Sequence, residues 1–153
     1  MARNVRYIAV HCSATPQSAT VESIQRYWRQ VLRWKNPGYH VIIKPNGEVV
    51  ELLPIDQVSN GVAGFNSVII NICYIGGVDS KGNYVDNRTP EQKATMLRYI
   101  KKWKKMFPKA IIQGHRDFSP DTNKNGIIEA REWIKYCPCF DAKKEFESLN
   151  KKP

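Results

Sequence analysis

The sequence predicts a single α/β domain, a central mixed sheet flanked by helices, and three observations predict it. Short β-branched runs alternate with stretches of helical spacing, one pair of runs is joined by an Asn-Gly turn, and 153 residues is the length of one ordinary domain. Strand–helix alternation implies parallel neighbours and a hairpin implies an antiparallel pair, so the sheet is mixed. A chain of this length buries about 68–70% of its unfolded surface and needs no disulfide staples. Hydrophobic residues at 42% and charged residues at 25% exclude disorder as the dominant state.

Residues 5–11 (VRYIAVH) read as a strand that ends on a histidine. Residues 20–34 start at Thr20 and space Val21, Ile24, Trp28, Val31 and Leu32 as a helix does. After the Asn36-Pro-Gly38 turn, 39–44 and 48–53 form a hairpin, because Asn46-Gly47 accepts the positive φ of a tight turn. Residues 68–75 (VIINICYI) lack alternation and fit a central strand buried on both faces. Thr89-Pro-Glu-Gln92 is a capping box with Pro at the first helical position. It opens a helix to about Phe107, with Leu97, Ile100, Trp103 and Phe107 inward and a lysine-rich outer face. Residues 110–114 form a short strand that again runs into a histidine, and 129–136 and 140–149 are expected to be helical.

Twenty-four Lys and Arg against 14 acids give a formal charge of +10, which suits polyanionic partners: nucleic acid, anionic cell-surface polymers or a membrane face. The longest mostly apolar run, 68–78, is well short of the ~20 residues of a membrane span. The run Tyr7–Val10 is too short for the apolar core of a secretory signal, so no signal peptide is expected. Four cysteines in such a chain suggest metal or free-thiol use before disulfides.

Open α/β sheets bind ligands beyond their strand ends, where His11 and His115 fall. His40 neighbours Tyr39 on a strand, so one of the two lines a site and the other packs behind it. Catalytic zinc takes three nitrogen or sulfur ligands and keeps a fourth position open. His11, His115 and one cysteine of Cys137-Pro-Cys139 would make such a set; buried, inert histidines and thiols are the plainer reading. Residue types alone do not choose between Cys137 and Cys139. Cys12 and Cys73 read as small core residues.

The strings HCSAT (11–15), GYHVIIKPNGEV (38–49), GFN (64–66), YIGGVD (74–79), TPEQ (89–92), GHRD (114–117) and KYCPCFD (135–141) occur in this order. Together they resemble, over nearly the whole chain, the zinc-dependent N-acetylmuramoyl-L-alanine amidases of the phage lysozyme and peptidoglycan-recognition superfamily. The resemblance implies zinc in a surface cleft at the strand ends, with His11, His115 and Cys137 as ligands and Tyr39 and Lys135 as catalytic residues. It also places Asn66 near the substrate groove. Zinc so held lowers the pKa of a water toward about 7. The implied reaction is hydrolysis of the amide between muramic acid and L-alanine. Lys135 would stabilise the oxyanion, and Tyr39 would orient water or pass a proton to the leaving amine. With no signal peptide expected, the protein is expected to accumulate in a bacterial cytoplasm, as a monomer, and to reach the wall after release or export.

Two departures from the family pattern fall beside the groove. Asn66-Ser-Val-Ile-Ile-Asn71 replaces an N-x-x-S-I-G string, and Asn60-Gly-Val-Ala63 stands where a cleft histidine is common. They favour an alternative, a peptidoglycan-binding module without turnover, which Tyr39, Lys135 and Cys137 oppose. Nucleic-acid binding has only the net charge behind it and is not expected.

Residues 121–132 (DTNKNGIIEARE) fit a twelve-residue calcium loop, inserted before the Lys135–Cys137 segment. Asp121, Asn123, Asn125, the Ile127 carbonyl and Glu132 would be the ligands, and an Asn/Gly-rich surface turn is the plainer reading. Calcium bound there would support the segment that carries Lys135 and Cys137.

Overall fold

The computed structural model describes residues 3–133 and 135–151. Among them, five strands form one sheet in the order β3-β2-β4-β1-β5: β1 (Tyr7–Cys12), β2 (Val41–Ile43), β3 (Val49–Glu51), β4 (Ile69–Tyr74) and β5 (Ile111–Gly114). β2, β4, β1 and β5 are parallel, and β3 closes one edge antiparallel to β2. Gly47, at φ 89°, supplies the left-handed residue of the β2–β3 turn. The sheet is mixed, as expected.

Strand parity sorts the side chains. Ile8 and Val10 of β1, Ile70, Ile72 and Tyr74 of β4, and Ile112 of β5 form one core with α2 (Pro90–Met106), α3 (Ala142–Glu145) and α4 (Glu147–Asn150). Ile42 and Cys73 face the other way, against Val21, Ile24 and Trp28 of α1 (Val21–Arg26) and the turn after it. With helices on both faces, every residue of β4 is buried, which explains its unbroken apolar run.

Thr89 caps α2 and Gln92 completes the box, worth about 1 kcal/mol for such a cap. The buried ridge of α2 is Met96, Ile100 and Trp103, with Phe107 packed at its end. Leu97, expected inward, is 37% exposed, because the ridge steps by four, three and four from Met96.

Three helical expectations need correction. The segment 20–34 is α-helical only over Val21–Arg26, behind a Thr20–Ser23 capping box, then widens into a π-helical turn at Tyr27–Val31 and stops at Arg33, φ 61°. The stretch 129–136 holds a single 3-10 turn, Ala130–Glu132, followed by extended backbone at Trp133; Ile134 lies outside the described residues. There the Glu132 carboxylate accepts from the backbone of Thr122, Asn123 and Glu129, closing the preceding loop and ending the turn. Finally, 140–149 breaks into α3 and α4 at Phe146, whose ring is drawn into the core.

Candidate metal centre and cleft

Parallel strands end on one edge of the sheet, and β1 and β5 deliver the two histidines there. His11 is the next-to-last residue of β1, shares its parity with Tyr7 and Ala9, and is fully buried. His115 follows β5 directly and opens a 3-10 turn, His115–Phe118. Gly114 matters by size alone: a Cβ there would come 2.5 Å from Pro138 Cδ. Without it, Pro138 lies against the end of β5, and the Arg116 N–H donates to the Cys137 carbonyl at 2.9 Å. The Cys12 N–H donates to the Cys137 thiol at 3.1 Å. Cys137 is thus held between the ends of β1 and β5.

The ligand atoms of His11, His115 and Cys137 lie within 4.8 Å of one another, the one such group of metal-ligating side chains among the described residues. His11 Nδ1 is 3.7 Å from Cys137 Sγ. Tetrahedral zinc at its usual bond lengths sets donors roughly 3.3–3.6 Å apart, so these residues fit zinc with little adjustment. Burial, then the neighbouring His115, holds the His11 imidazole well below its ordinary range. Burial, then the Lys135 charge, brings His115 to about 4. Both rings are therefore neutral at pH 7, the form that ligates. Cys139 takes no part: its thiol faces Cys12 Sγ at 3.7 Å and the Gly77 carbonyl at 3.5 Å.

Tyr39 and His40 divide as alternation requires. Tyr39 lines the cleft, its ring 4.9 Å from His11 and 5.4 Å from Trp28, with its hydroxyl 3.5 Å from the Cys12 carbonyl. Burial, then the nearby thiols, raises the phenol well above its usual range, so it keeps its proton. His40 is fully buried behind, bonded to the Gln57 carbonyl at 2.7 Å and near Ser59. Lys135 is exposed and lines the cleft with His115, Cys137 and Asn66. Asn66 also supports the rim, its side-chain oxygen accepting from the Val62 N–H at 2.8 Å.

The cleft has a volume of about 870 Å³. Sequence reasoning missed its aromatic lining of Tyr27, Trp28 and Trp34. Helical spacing made Trp28 a core residue, and it is one, but the widened turn also gives it an edge on the cleft. Also missed was Asn71, whose carboxamide oxygen lies 2.7 Å from His11 Nε2.

The 121–132 loop is closed by its own hydrogen bonds. Asp121 accepts from the Gly126 N–H, Asn123 from Asn125, and Asn125 from Ile127. Glu132 is engaged with Thr122, Asn123 and Glu129. Asp121 Oδ1 is buried without a hydrogen-bond partner.

Fold and site together define an α/β protein with a three-donor centre at the floor of an open cleft. Residues 1–127 match the family model described as N-acetylmuramoyl-L-alanine amidase, and the chain belongs to that family. Lys135 and Cys137 lie beyond the matched stretch. The chain is 35% identical over 133 residues to an endolysin of Enterobacteria phage K11, covering 86% of this chain and 79% of the relative. The fold is shared with the Ph2119 endolysin of a Thermus scotoductus bacteriophage, with a TM-score of 0.72 at 22% identity over 99% of this chain and 88% of that one. It is shared equally with the amidase LysC of Clostridium intestinale, with a TM-score of 0.73 at 19% identity over 97% and 87%. The chain is accordingly a peptidoglycan amidase, a hydrolase of the bond between N-acetylmuramic acid and L-alanine. Among the described residues, no helix is long and apolar enough to cross a membrane.

Proposed function

We propose that this amidase is zinc-dependent and endolysin-like, with His11, His115 and Cys137 holding the metal and Tyr39 and Lys135 acting on the substrate. The convergence of the three donor atoms within 4.8 Å carries the reading. Bound there, zinc supplies Lewis acidity and makes a water nucleophilic near neutral pH. The chain's residues do the rest. The Lys135 ammonium, exposed on the cleft, stabilises charge that develops on the scissile carbonyl oxygen. The Tyr39 phenol, kept protonated by burial, holds the water in line or hands a proton to the leaving amine. Asn66 borders the stem peptide at the rim, and the indoles of Trp28 and Trp34 offer apolar faces to it. The endolysin role is supported by the phage relatives, and the charge of +10 suits adsorption to an anionic wall.

Digestion of purified peptidoglycan tests the reading, with mass-identified products and counts of new amino termini. Free L-alanine amines should appear, vanish with chelator and return with zinc. Saturable muropeptide binding with one zinc and no cleavage would instead mark a recognition module.

The loop 121–132 is proposed as a weak calcium site, of the ~10⁻⁴–10⁻³ M class because two of its ligands are neutral amides. Its spacing and the unpartnered Asp121 Oδ1 support this. Millimolar calcium should raise the Tm of the zinc-loaded protein, and no shift at 10⁻² M, roughly ten times the weakest affinity of that class, would dismiss the site.

A further inference from the structure

The carboxamide beside His11 belongs to a chain of hydrogen bonds whose direction is set at its far end. The Gln57 carbonyl can only accept, so His40 Nε2, 2.7 Å away, carries the proton. His40 Nδ1 is then an acceptor, and it faces the Asn71 backbone N–H at 3.0 Å and the Ser59 hydroxyl at 3.2 Å. With its hydrogen directed at His40, Ser59 Oγ accepts from Asn71 Nδ2 at 2.6 Å. That turns Asn71 Oδ1 toward His11, so Nε2 is the protonated nitrogen of His11 and Nδ1, facing Cys137 Sγ, keeps its lone pair. The reversed carboxamide would draw the Ser59 hydrogen to itself and leave the Ser59–His40 contact without one. Only the first arrangement puts a donor against an acceptor at every contact, with the single Nδ1 lone pair of His40 shared between the Asn71 N–H and the Ser59 hydroxyl. His11, His40, Ser59 and Asn71 are all fully buried, where an unmade hydrogen bond costs most.

The backbone beside the chain is cut to fit. A Cβ on Gly61 would come 2.2 Å from Asn71 Oδ1, 2.3 Å from Cγ and 2.6 Å from Nδ2. The carboxamide therefore occupies the space that a side chain at position 61 would take.

We propose that Asn71 is a positioning residue of the metal centre: its side-chain oxygen fixes His11 as the Nε2–H tautomer, so that Nδ1 is a ready ligand before any metal arrives. Ser59 and His40 aim the carboxamide, and Gly61 gives it space. The proposal rests on the zinc reading for its purpose and on the hydrogen-bond chain for its content. Asn71 is the last residue of the Asn66–Asn71 string that departs from the family pattern.

The test begins with the chelator-treated wild-type chain, labelled with ¹⁵N-histidine, in which long-range ¹H–¹⁵N correlations report the tautomer of each ring. His11 should be Nε2–H without metal; Nδ1–H, or a mixture of both, would overturn the proposal whether or not the protein binds zinc. Asn71→Leu should lose the single tautomer and weaken zinc about 10–100-fold in chelator competition, the usual loss for an outer-shell partner. Asn71→Asp, which keeps an acceptor, should restore the tautomer and stay within a few-fold of wild-type affinity. Ser59→Ala should blur the tautomer if Asn71→Leu does not fold. Wild-type zinc affinity and a single Nε2–H tautomer in a folded Asn71→Leu would refute the role. Absence of zinc binding by wild type with His11 still Nε2–H would sink the zinc reading and leave the tautomer assignment standing.

Discussion

Replacing Gly114 by alanine adds one methyl group between two of the three metal donors. The backbone at Gly114, φ −83° and ψ 163°, is ordinary extended geometry. Alanine is at home there and by its effect on the unfolded chain would add about 0.4–1 kcal/mol. The contact decides the outcome. The new Cβ would sit 2.5 Å from Pro138 Cδ and 3.0 Å from Cγ. Carbon atoms prefer about 3.5–4.0 Å, so the gap must open by about 1 Å. A proline ring cannot rotate aside, and a planar peptide bond couples it to Cys137. The displacement therefore reaches the thiol, while β5 holds His115 on the other side. Overpacking costs about 1–3 kcal/mol, leaving a net loss of about 1.3 kcal/mol between the midpoints of the two ranges and at most about 2.6 kcal/mol once the backbone gain is deducted. In the metal-free protein the midpoint is a Tm lowered by roughly 3–5 °C. Metal sites tolerate about 0.2 Å in their bonds, so zinc affinity should fall at least about tenfold. Calorimetry with chelator present and a chelator competition titration measure the two effects separately. Wild-type values in both would mean that Pro138 does not rest on Gly114 and that this contact does not set the distance from Cys137 to His115.

Other substitutions separate the roles within the site. Cys137→Ser should abolish stoichiometric zinc, whereas Cys139→Ser should leave it at one per chain, because the Cys139 thiol faces Cys12 and Gly77; metal analysis of the purified variants decides. Lys135→Ala should lower kcat by about 10²–10³, the usual loss of an oxyanion donor, with zinc content unchanged, and a wild-type kcat would remove Lys135 from the mechanism. Stability should also depend on pH. Burial brings His40 to about 4 from 6.5, so the unfolded chain binds more protons in that interval. Stability is then level above about pH 6.5 and falls as pH drops toward 4, by on the order of 3 kcal/mol for His40 alone, with His115 adding in the same direction when metal is absent. Urea unfolding of the metal-free protein at pH 7.5, 6 and 5 checks this, and a flat series would contradict the burial of neutral His40.

Elements with a local cause were legible in the sequence. The Asn46-Gly47 turn, the Thr89–Gln92 box and the unbroken apolar run of β4 each state their structure in a few residues, and each is found. The helical expectations that failed were decided by distant partners. Spacing carries 20–34 on as a helix, yet the chain widens at Tyr27 where Trp28 packs on Tyr39 and Trp34. Spacing carries 129–136 on as a helix, yet Glu132 turns back to cap the loop before it, and the 3-10 turn ends on extended backbone at Trp133. An amide ten residues away is invisible to a helical period.

The site shows the same division, with a sharper lesson. His11 and His115 were legible because each ends an apolar strand, and strand ends are where α/β sheets place their chemistry. Residue types left Cys137 and Cys139 open, since an extended segment sends both thiols the same way, and the resemblance alone favoured Cys137; in the structure the Cys137 thiol faces His11 and the Cys139 thiol faces Cys12. Asn71 left a signal that could have been followed. A polar side chain in the middle of a strand buried on both faces must have a partner, because leaving it without one costs about 1–3 kcal/mol. The parallel register sets Asn71 beside Ala9, on the face His11 shares, so the first histidine was within its reach. The direction of that bond was not legible. It depends on a backbone carbonyl at Gln57, a ring at His40 and a hydroxyl at Ser59, brought together from two loops and a strand. The two departures from the family pattern were read as altered groove residues that favour binding without turnover. In the fold they meet: a Cβ at Gly61 would fall on the Asn71 carboxamide, so the one residue leaves the space that the other fills.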